Sequence, residues 1–389
     1  MDSRGRRRGR HLRLRADGGE TRRLTPPGNY ESPLPSPDGA RIAYLARDPK
    51  PQAYVVRKLY VMSSDGSSPH ALSGALDRDV FDPQWSADSR TVYFLADDAG
   101  ATHVYAARAD GSLRQATDAP ERLSDFTVAA NGRAAAVRST ASNGEEVVAF
   151  SVFDSAERAT LAAPNTGLLA SREIVRPQEI RFESAGRSVQ AWLYKPPRFD
   201  PAKKYPLLVD RREAFRGMSG FEFSLPAQIL AARGLVVLCA NPRGTPGYGE
   251  DFGNLLRTRA PGDDLDDLLS GVDFAIAKGY ADPQRVSIAG GLPAAWALGH
   301  SDRFASVITR RAKAWLDEPW DPQRSPILFA RNFKTPTLVI ADPTDPQSDQ
   351  LFEALQNAKV DSTLLRLPSP SPRATALELE AILAWLAKW

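Results

Sequence analysis

The most constraining stretch of this chain is Val286-Ser287-Ile288-Ala289-Gly290-Gly291-Leu292-Pro293-Ala294-Ala295-Trp296. A β-branched, apolar run ends in two glycines, and an alanine-rich segment continues through Ala297 and Leu298. Buried strand, tight turn and helix is the local order this predicts. Short apolar runs of the same buried type stand at Leu207 to Val209, Leu235 to Cys239, Thr337 to Ile340 and Thr363 to Leu367. Between and after them, Leu265, Leu268, Leu269, Val272 and Ile276, then Ile382, Trp385, Leu386 and Trp389, follow helical spacing. Strands alternating with helices predict a doubly wound α/β sheet over residues 171–389.

Residues 26–170 are patterned differently. Ser36-Pro37-Asp38-Gly39-Ala40-Arg41-Ile42-Ala43-Tyr44 returns as Ser86-Ala87-Asp88-Ser89-Arg90-Thr91-Val92-Tyr93-Phe94. A degraded third copy starts at Ala129-Ala130-Asn131-Gly132. Each copy precedes a second strand pair, with hairpin signals at Asp65-Gly66 and Asp110-Gly111. The spacing of these copies suits a four-stranded propeller blade, so an all-β, partial β-propeller-like domain of three blades is expected, where closed propellers have about four to eight. Its open edges would invite pairing with another chain, which makes a homo-oligomer an expectation.

The net charge is only +3, but residues 1–25 hold nine arginines against Asp2, Asp17 and Glu20, about +6 in all. This basic arm, with Arg6, Arg7, Arg8 and Arg10, reads as a disordered, solvated tail; nucleic-acid association is the alternative. No apolar run approaches a membrane span, so no membrane partner is expected and the expected location is cytoplasmic. One cysteine, Cys239, excludes an internal disulfide and reads as a small buried hydrophobe. There is no P-loop, H-E-x-x-H, strand-linked G-x-G-x-x-G or EF-hand pattern, so no cofactor and no metal site is expected.

Several further segments carry a specific likeness: Leu230-Ala231-Ala232-Arg233-Gly234-Leu235-Val236-Val237-Leu238, Asn241-Pro242-Arg243-Gly244-Thr245-Pro246-Gly247-Tyr248-Gly249, Gly271-Val272-Asp273 with Asp282-Pro283, and Gly299-His300-Ser301-Asp302-Arg303-Phe304. With Thr335-Pro336-Thr337-Leu338-Val339-Ile340 they resemble the prolyl oligopeptidase family of serine peptidases, most closely its acylaminoacyl-peptidase and dipeptidyl-peptidase-like branch. The resemblance implies an α/β-hydrolase domain behind a shortened propeller. It also implies a triad that this chain does not carry. The nucleophile position of the family's Gly-Gly-Ser-Tyr-Gly-Gly elbow falls on Leu292. The oxyanion segment falls on Arg212, Glu213, Ala214 and Phe215, where Glu213 would set negative charge against a developing oxyanion. The acid falls on Asp345, which keeps its residue type, and the base falls near Pro372. The four histidines are His11, His70, His103 and His300, so none follows residue 300. A triad needs an imidazole between nucleophile and acid.

Three functional expectations result. The first is a non-catalytic homologue that acts by binding or assembly, with a peptide or protein ligand. The second is a working serine-type hydrolase of short or acylated peptides with a non-standard site. The third is nucleic-acid association through the arm. The first carries a structural corollary: Leu292 is buried, and Phe215 and Pro293 help fill the former cleft. Arg243 and Tyr248 match a loop near the family's site and read as parts of a glycine-shaped turn.

Overall fold

The structure, a computed structural model, describes residues 12–13, 21–50, 52, 54–154, 156–211, 217–255, 259–317, 321–368 and 371–389. Arg6, Arg7, Arg8 and Arg10 and the segment Arg212, Glu213, Ala214 and Phe215 lie outside them. The chain forms two compact units. The first is residues 1–171 with 220–223 and 246–254; the second is 172–219, 224–245 and 255–389. Within the stretch read as a basic arm, Leu12–Arg13 pairs antiparallel with Arg22–Arg23.

The first unit contains three four-stranded antiparallel sheets, the three expected blades. They are β1 (Tyr30–Pro35), β2 (Arg41–Arg47), β3 (Arg57–Ser63) and β4 (His70–Ala71); β5 (Val80–Trp85), β6 (Thr91–Asp98), β7 (Ala101–Arg108) and β8 (Leu113–Gln115); and β9 (Arg122–Val128), β10 (Arg133–Ser139), β11 (Glu146–Ser151) and β12 (Arg158–Ala162). Apolar side chains of successive blades pack together. Leu45, Leu59 and Val61 meet Val80, Val92 and Phe94 in one buried cluster; Leu95 and Val104 meet Leu123, Phe126, Val148 and Phe150 in the next.

The sequence repeat is a repeat of hydrogen bonds. Ser36 Oγ donates to Asp38 Oδ1 at 2.5 Å and accepts from Arg41 N at 2.9 Å, while Ala40 N donates to Asp38. Ser86 and Asp88 reproduce the arrangement with Thr91 N and Arg90 N. These bonds, the serine hydroxyl foremost, hold the Asp38 and Asp88 carboxyls below their ordinary pKa. In the third copy Ala129 has no hydroxyl, the turn is one residue shorter, and of the side-chain bonds the one from Arg133 N to Asn131 survives beside the backbone bonds of the turn. A second repeated feature gave no sequence signal. The first strand of every blade bulges, with left-handed backbone at Ser32, Asp82 and Asp125 (φ 50°, 49° and 45°). The three bulges line one cavity of about 390 Å3.

Segments 220–223 and 246–254 are tied into this unit by polar contacts. Glu250 pairs with Lys50 Nζ at 2.5 Å and accepts from Val56 N at 3.0 Å. Asn254 makes a two-way bond with the Tyr54 backbone, and Arg122 pairs with Glu222 at 2.8 Å.

The second unit is built on an eight-stranded sheet: β13 (Gln178–Ser184), β14 (Arg187–Tyr194), β15 (Tyr205–Arg211), β16 (Val236–Asn241), β17 (Ala281–Gly290), β18 (Ser306–Arg310), β19 (Thr337–Ala341) and β20 (Ser362–Arg366). The spatial order is β13-β14-β16-β15-β17-β18-β19-β20, parallel from β16 onward. Its main helices are α1 (Leu225–Ala232), α2 (Asp263–Ala277), α3 (Leu292–His300), α4 (Pro346–Asn357) and α5 (Pro372–Leu386). Ser224, Asp345 and Ser371 cap α1, α4 and α5, each with a proline in the first turn, where the missing N–H costs no bond. Asp263, Asp264 and Asp266 place negative charge at the positive end of α2. One face of the sheet packs Val209, Ile288 and Val339 against α2, α3 and α4. Gly271 lets α2 sit close there, since a Cβ would lie 2.8 Å from Leu238 and 2.9 Å from Phe182.

The hydroxyl-based turn gives the first prediction. Ser36→Ala removes one donor and one acceptor from a buried site and is expected to cost about 1 kcal/mol. Denaturant unfolding of the variant with no loss of midpoint would contradict the role given to that serine.

Candidate functional site

In an open parallel sheet, ligands sit outside the carboxyl ends of the strands. Here that edge is formed by the ends of β15, β17, β18, β19 and β20. The central strand β17 is forced to be small where it ends. A Cβ on Gly290 would stand 2.5 Å from the Arg211 carbonyl oxygen, so no side chain fits. Gly291 then turns the chain (φ −86°, ψ −112°) and Leu292 opens α3. Leu292 is not among the residues with positive φ, so the strained backbone that lifts a nucleophile above a sheet is not found at it. Leu292 and Pro293 are half-buried, which corrects the expectation that Leu292 is buried. The reason is positional: the first turn of α3 stands at the sheet edge, and the buried face begins at Ala294 and runs through Leu298. Phe215, the other proposed filler, lies outside the described residues.

Asp345 spends its carboxylate on the start of α4. It accepts from Gln347 N at 3.1 Å, Ser348 N at 3.4 Å and Ser348 Oγ at 2.6 Å. Pro372 occupies the first turn of α5 behind the Ser371 cap and has no titratable group. His300 ends α3. Its ring stacks on Trp296 at 3.5 Å, meets Phe329 edge-on at 4.3 Å, and its Nδ1 lies 3.0 Å from the Trp296 carbonyl oxygen. Arg324 lies over the other ring of this cluster, 5.0 Å from Trp296. The imidazole, though exposed at one side, is held by these ring contacts as a packing element.

Arg243 is equally committed. Its Nε and Nη2 hold both oxygens of Asp267 at 2.8–3.1 Å, its Nη1 reaches Asp263 at 3.1 Å, and its own N–H donates to Asp267. Bonding to Asp267 raises the guanidinium's pKa against the opposing effect of burial. The loop after β16 is thereby pinned to α2. Tyr248, in the first unit, packs its ring against Phe252 at 5.1 Å. Among the described residues, no three His, Cys, Asp or Glu side chains come together as a metal site, and Cys239 is a buried free thiol.

A charged cluster at this edge was not among the sequence expectations. Asp210 is in register with Ala289, and Ala289 with Ile308, so period two puts Arg310 on their face. Ala289 is small enough for Arg310 to reach across β17 and donate to Asp210 at 2.7 Å. Its Nε donates to Glu378 of α5 at 2.6 Å. Burial works against the guanidinium's charge; the two carboxylates outweigh it and hold its pKa above the ordinary value. The next residue, Arg311, holds both Asp342 oxygens at 3.0 Å. Two arginines closing an otherwise buried strand were the available signal; their partners lie 100 and 68 residues away for Arg310.

Residues 221–318 match the model of the prolyl oligopeptidase family. Two curated relatives show the extent of the likeness. The uncharacterized peptidase YuxL of Bacillus subtilis is 27% identical, over 78% of this chain and 52% of its own length. Dipeptidyl-peptidase 5 of Porphyromonas gingivalis is 26% identical, over 91% of this chain and 58% of its own length. The chain thus spans somewhat more than half the length of these relatives. Among solved structures, acylaminoacyl peptidase of Pyrococcus horikoshii superposes with a TM-score of 0.84 at 23% identity, over 95% of this chain and 64% of that one. Porphyromonas gingivalis dipeptidyl peptidase 4 superposes at 0.75 with 17% identity, over 97% and 55%. These likenesses show the family's fold, an α/β-hydrolase unit with a β-propeller-like unit. No helix among the described residues is long and apolar enough to cross a membrane.

Two predictions arise from the committed side chains. Arg243→Met strands the buried Asp267, while Asp263 keeps its pair with Arg259 at 3.0 Å, and is expected to cost about 3 kcal/mol; unfolding at the wild-type denaturant midpoint would contradict the clamp. Burial, foremost, pushes His300 below the ordinary 6.5, against the pull of the Trp296 carbonyl. His103 shifts the same way, again through burial. A lowered folded pKa means the unfolded chain takes up protons first, so stability present above 6.5 is lost as pH falls below it. His300→Phe should make that loss shallower in guanidinium unfolding between pH 7.5 and pH 5. An unchanged slope would contradict an imidazole whose partial burial favours the neutral form.

Proposed function

We propose that this chain is a non-catalytic member of the prolyl oligopeptidase family that acts by binding. One observation carries the reading: the elbow position is Leu292, in a relaxed helix start, with no hydroxyl or thiol for a base to activate. The rest of the site agrees with it. Asp345 is a helix cap, Pro372, near which the resemblance sets the base, is in the first turn of α5, and His300, which follows the elbow by eight residues, packs against Trp296 and Phe329. Two elements of a triad act as a unit, and losing either alone costs on the order of a million-fold in turnover. The names of relatives, peptidase and dipeptidyl-peptidase, suggest a peptide or protein as the class of ligand. A protein partner has a surface available to it on the last blade, where Val147 and Leu161 are 37% and 61% exposed and Phe153 is 70% exposed. A cytoplasmic location belongs to the same proposal.

The purified chain is expected to show no turnover of aminoacyl-nitroanilide or acyl-peptide substrates above a buffer blank. Leu292→Ser alone is expected to stay inactive, since no histidine exists in the 89 residues after His300. Turnover by the unmodified chain, or by that single variant, would overturn the reading in favour of a working hydrolase.

A further inference from the structure

The three blades stack by one rule. Side chains alternate along each strand, so a blade has a leading face and a trailing face. The trailing face of the first blade is Ala43 and Leu45 of β2 with Leu59 and Val61 of β3, all buried in the cluster shared with the second blade. The same register positions of the second blade are Tyr93 and Leu95 of β6 with Val104 and Ala106 of β7, buried in the cluster shared with the third. In the third blade they are Ala135 and Val137 of β10 with Val147 and Ala149 of β11. The apolar pattern is kept there, yet Ala135, Val137 and Ala149 are half-buried and Val147 is 37% exposed. The bulged outer strand β12 adds Leu161, 61% exposed. The other end of the stack is closed. On the leading face of the first blade, Ile42, Tyr44, Tyr60 and Met62 repeat the positions of Val92, Phe94, Tyr105 and Ala107. Even the aromatic pair recurs, stacked at 5.5 Å for Tyr44 and Tyr60 and at 5.7 Å for Phe94 and Tyr105. Leu24 and Tyr30 pack on that face, and Tyr44 and Met62 are buried.

We propose that the trailing face of the third blade binds the same face of a second copy of this chain, in a two-fold dimer. Repeated units of this kind cannot bury an apolar face alone and do so by stacking. The chain stacks this face on another sheet twice within itself, so the contact continues an interface it already uses. The partner chemistry is an apolar sheet face. Of the stack's two ends, the one left open among the described residues is the third blade's, and a second copy offers the same. Like therefore meets like, and an isologous contact closes at two. The four central positions carry no charge, and Arg133 at the rim is paired with Glu157 at 3.0 Å, so the contact sets no like charges face to face at its centre. Four strands spaced by roughly 4.8 Å, each of about six residues at roughly 3.3 Å, make a face of about 19 Å by 20 Å. That is at the small end of specific interfaces, so the dimer is expected to be reversible.

This inference deepens the reading of the chain as a binding protein, rests on it, and names the partner. The test is sedimentation velocity of the full-length chain from low micromolar to sub-millimolar concentration. A monomer that gives way to a dimer as concentration rises is the expected result. Val147→Asp sets a charge in the middle of the contact and is expected to raise the dimer dissociation constant about tenfold or more. Its thermal midpoint, read where both proteins are monomers, should match the unmodified chain. If Val147→Asp unfolds, Leu161→Asp, at a more exposed position of the same blade, decides in its place. Leu328→Asp, at a leucine of the second unit that is 51% exposed, is expected to leave the dimer unchanged. A monomer at every concentration, a dimer untouched by the deciding variant, a dimer abolished by Leu328→Asp, or species larger than a dimer would each overturn the proposal. A monomeric chain removes this interface alone, and the hydrolysis assay remains the separate test of the non-catalytic reading.

Discussion

Strand β17 carries nothing larger than a methyl group over Ala289 and Gly290, and the arrangement at the sheet's carboxyl edge depends on that. Gly290 must be bare because the Arg211 carbonyl is too near for any Cβ. Ala289, in register with Asp210, is small, and Arg310 on the far side of β17 bonds Asp210 at 2.7 Å. In a hydrolase the same smallness serves the elbow. Here it serves an ion cluster that ties β15, β18 and α5 together over the strand between. The Arg310 cluster and the Arg243 clamp have a common logic. Each buries a guanidinium between two carboxylates, so that removing the cation would leave charge in a poorly solvated place.

Much of this was legible in the chain. The buried strands, the amphipathic helices and the elbow's two glycines all follow from period and residue type. The blade repeat was visible because its turn is written in side chains: a serine hydroxyl and an aspartate two residues on. The third copy was faint for a physical reason, since Ala129 lacks the hydroxyl and its turn is a residue shorter. The bulges at Ser32, Asp82 and Asp125 left no mark, because left-handed backbone there falls on serine and aspartate rather than glycine. Asp210, Arg310 and Glu378 were missed because they meet only through strand register and a helix far along the chain. Segments 220–223 and 246–254 read as continuous with the α/β pattern, yet they fold with the blades through Glu222, Glu250 and Asn254. Leu292 was expected inside. Hydrophobicity alone pointed inward, and its place in the first turn of a helix at the sheet edge left it half-exposed.

A peptidase site concentrates functional strain and unpaired polar groups at one place. In this chain Asp345, His300 and Arg243 are bonded or packed for structural ends. Asp345 stabilises the start of a helix. His300 completes an aromatic cluster. Arg243 fastens a loop to α2. What remains open at the edge is a cavity with apolar walls beside the Arg310 ion cluster.

The most direct test of the account is the intact mass of the full-length chain after incubation with a fluorophosphonate, with an active serine hydrolase treated alongside. Such a reagent adds covalently to a serine whose hydroxyl has been activated by a neighbouring base. The account predicts an unchanged mass for this chain while the control gains one phosphonyl group. A stoichiometric adduct on any serine of the second unit would show an activated nucleophile and contradict it.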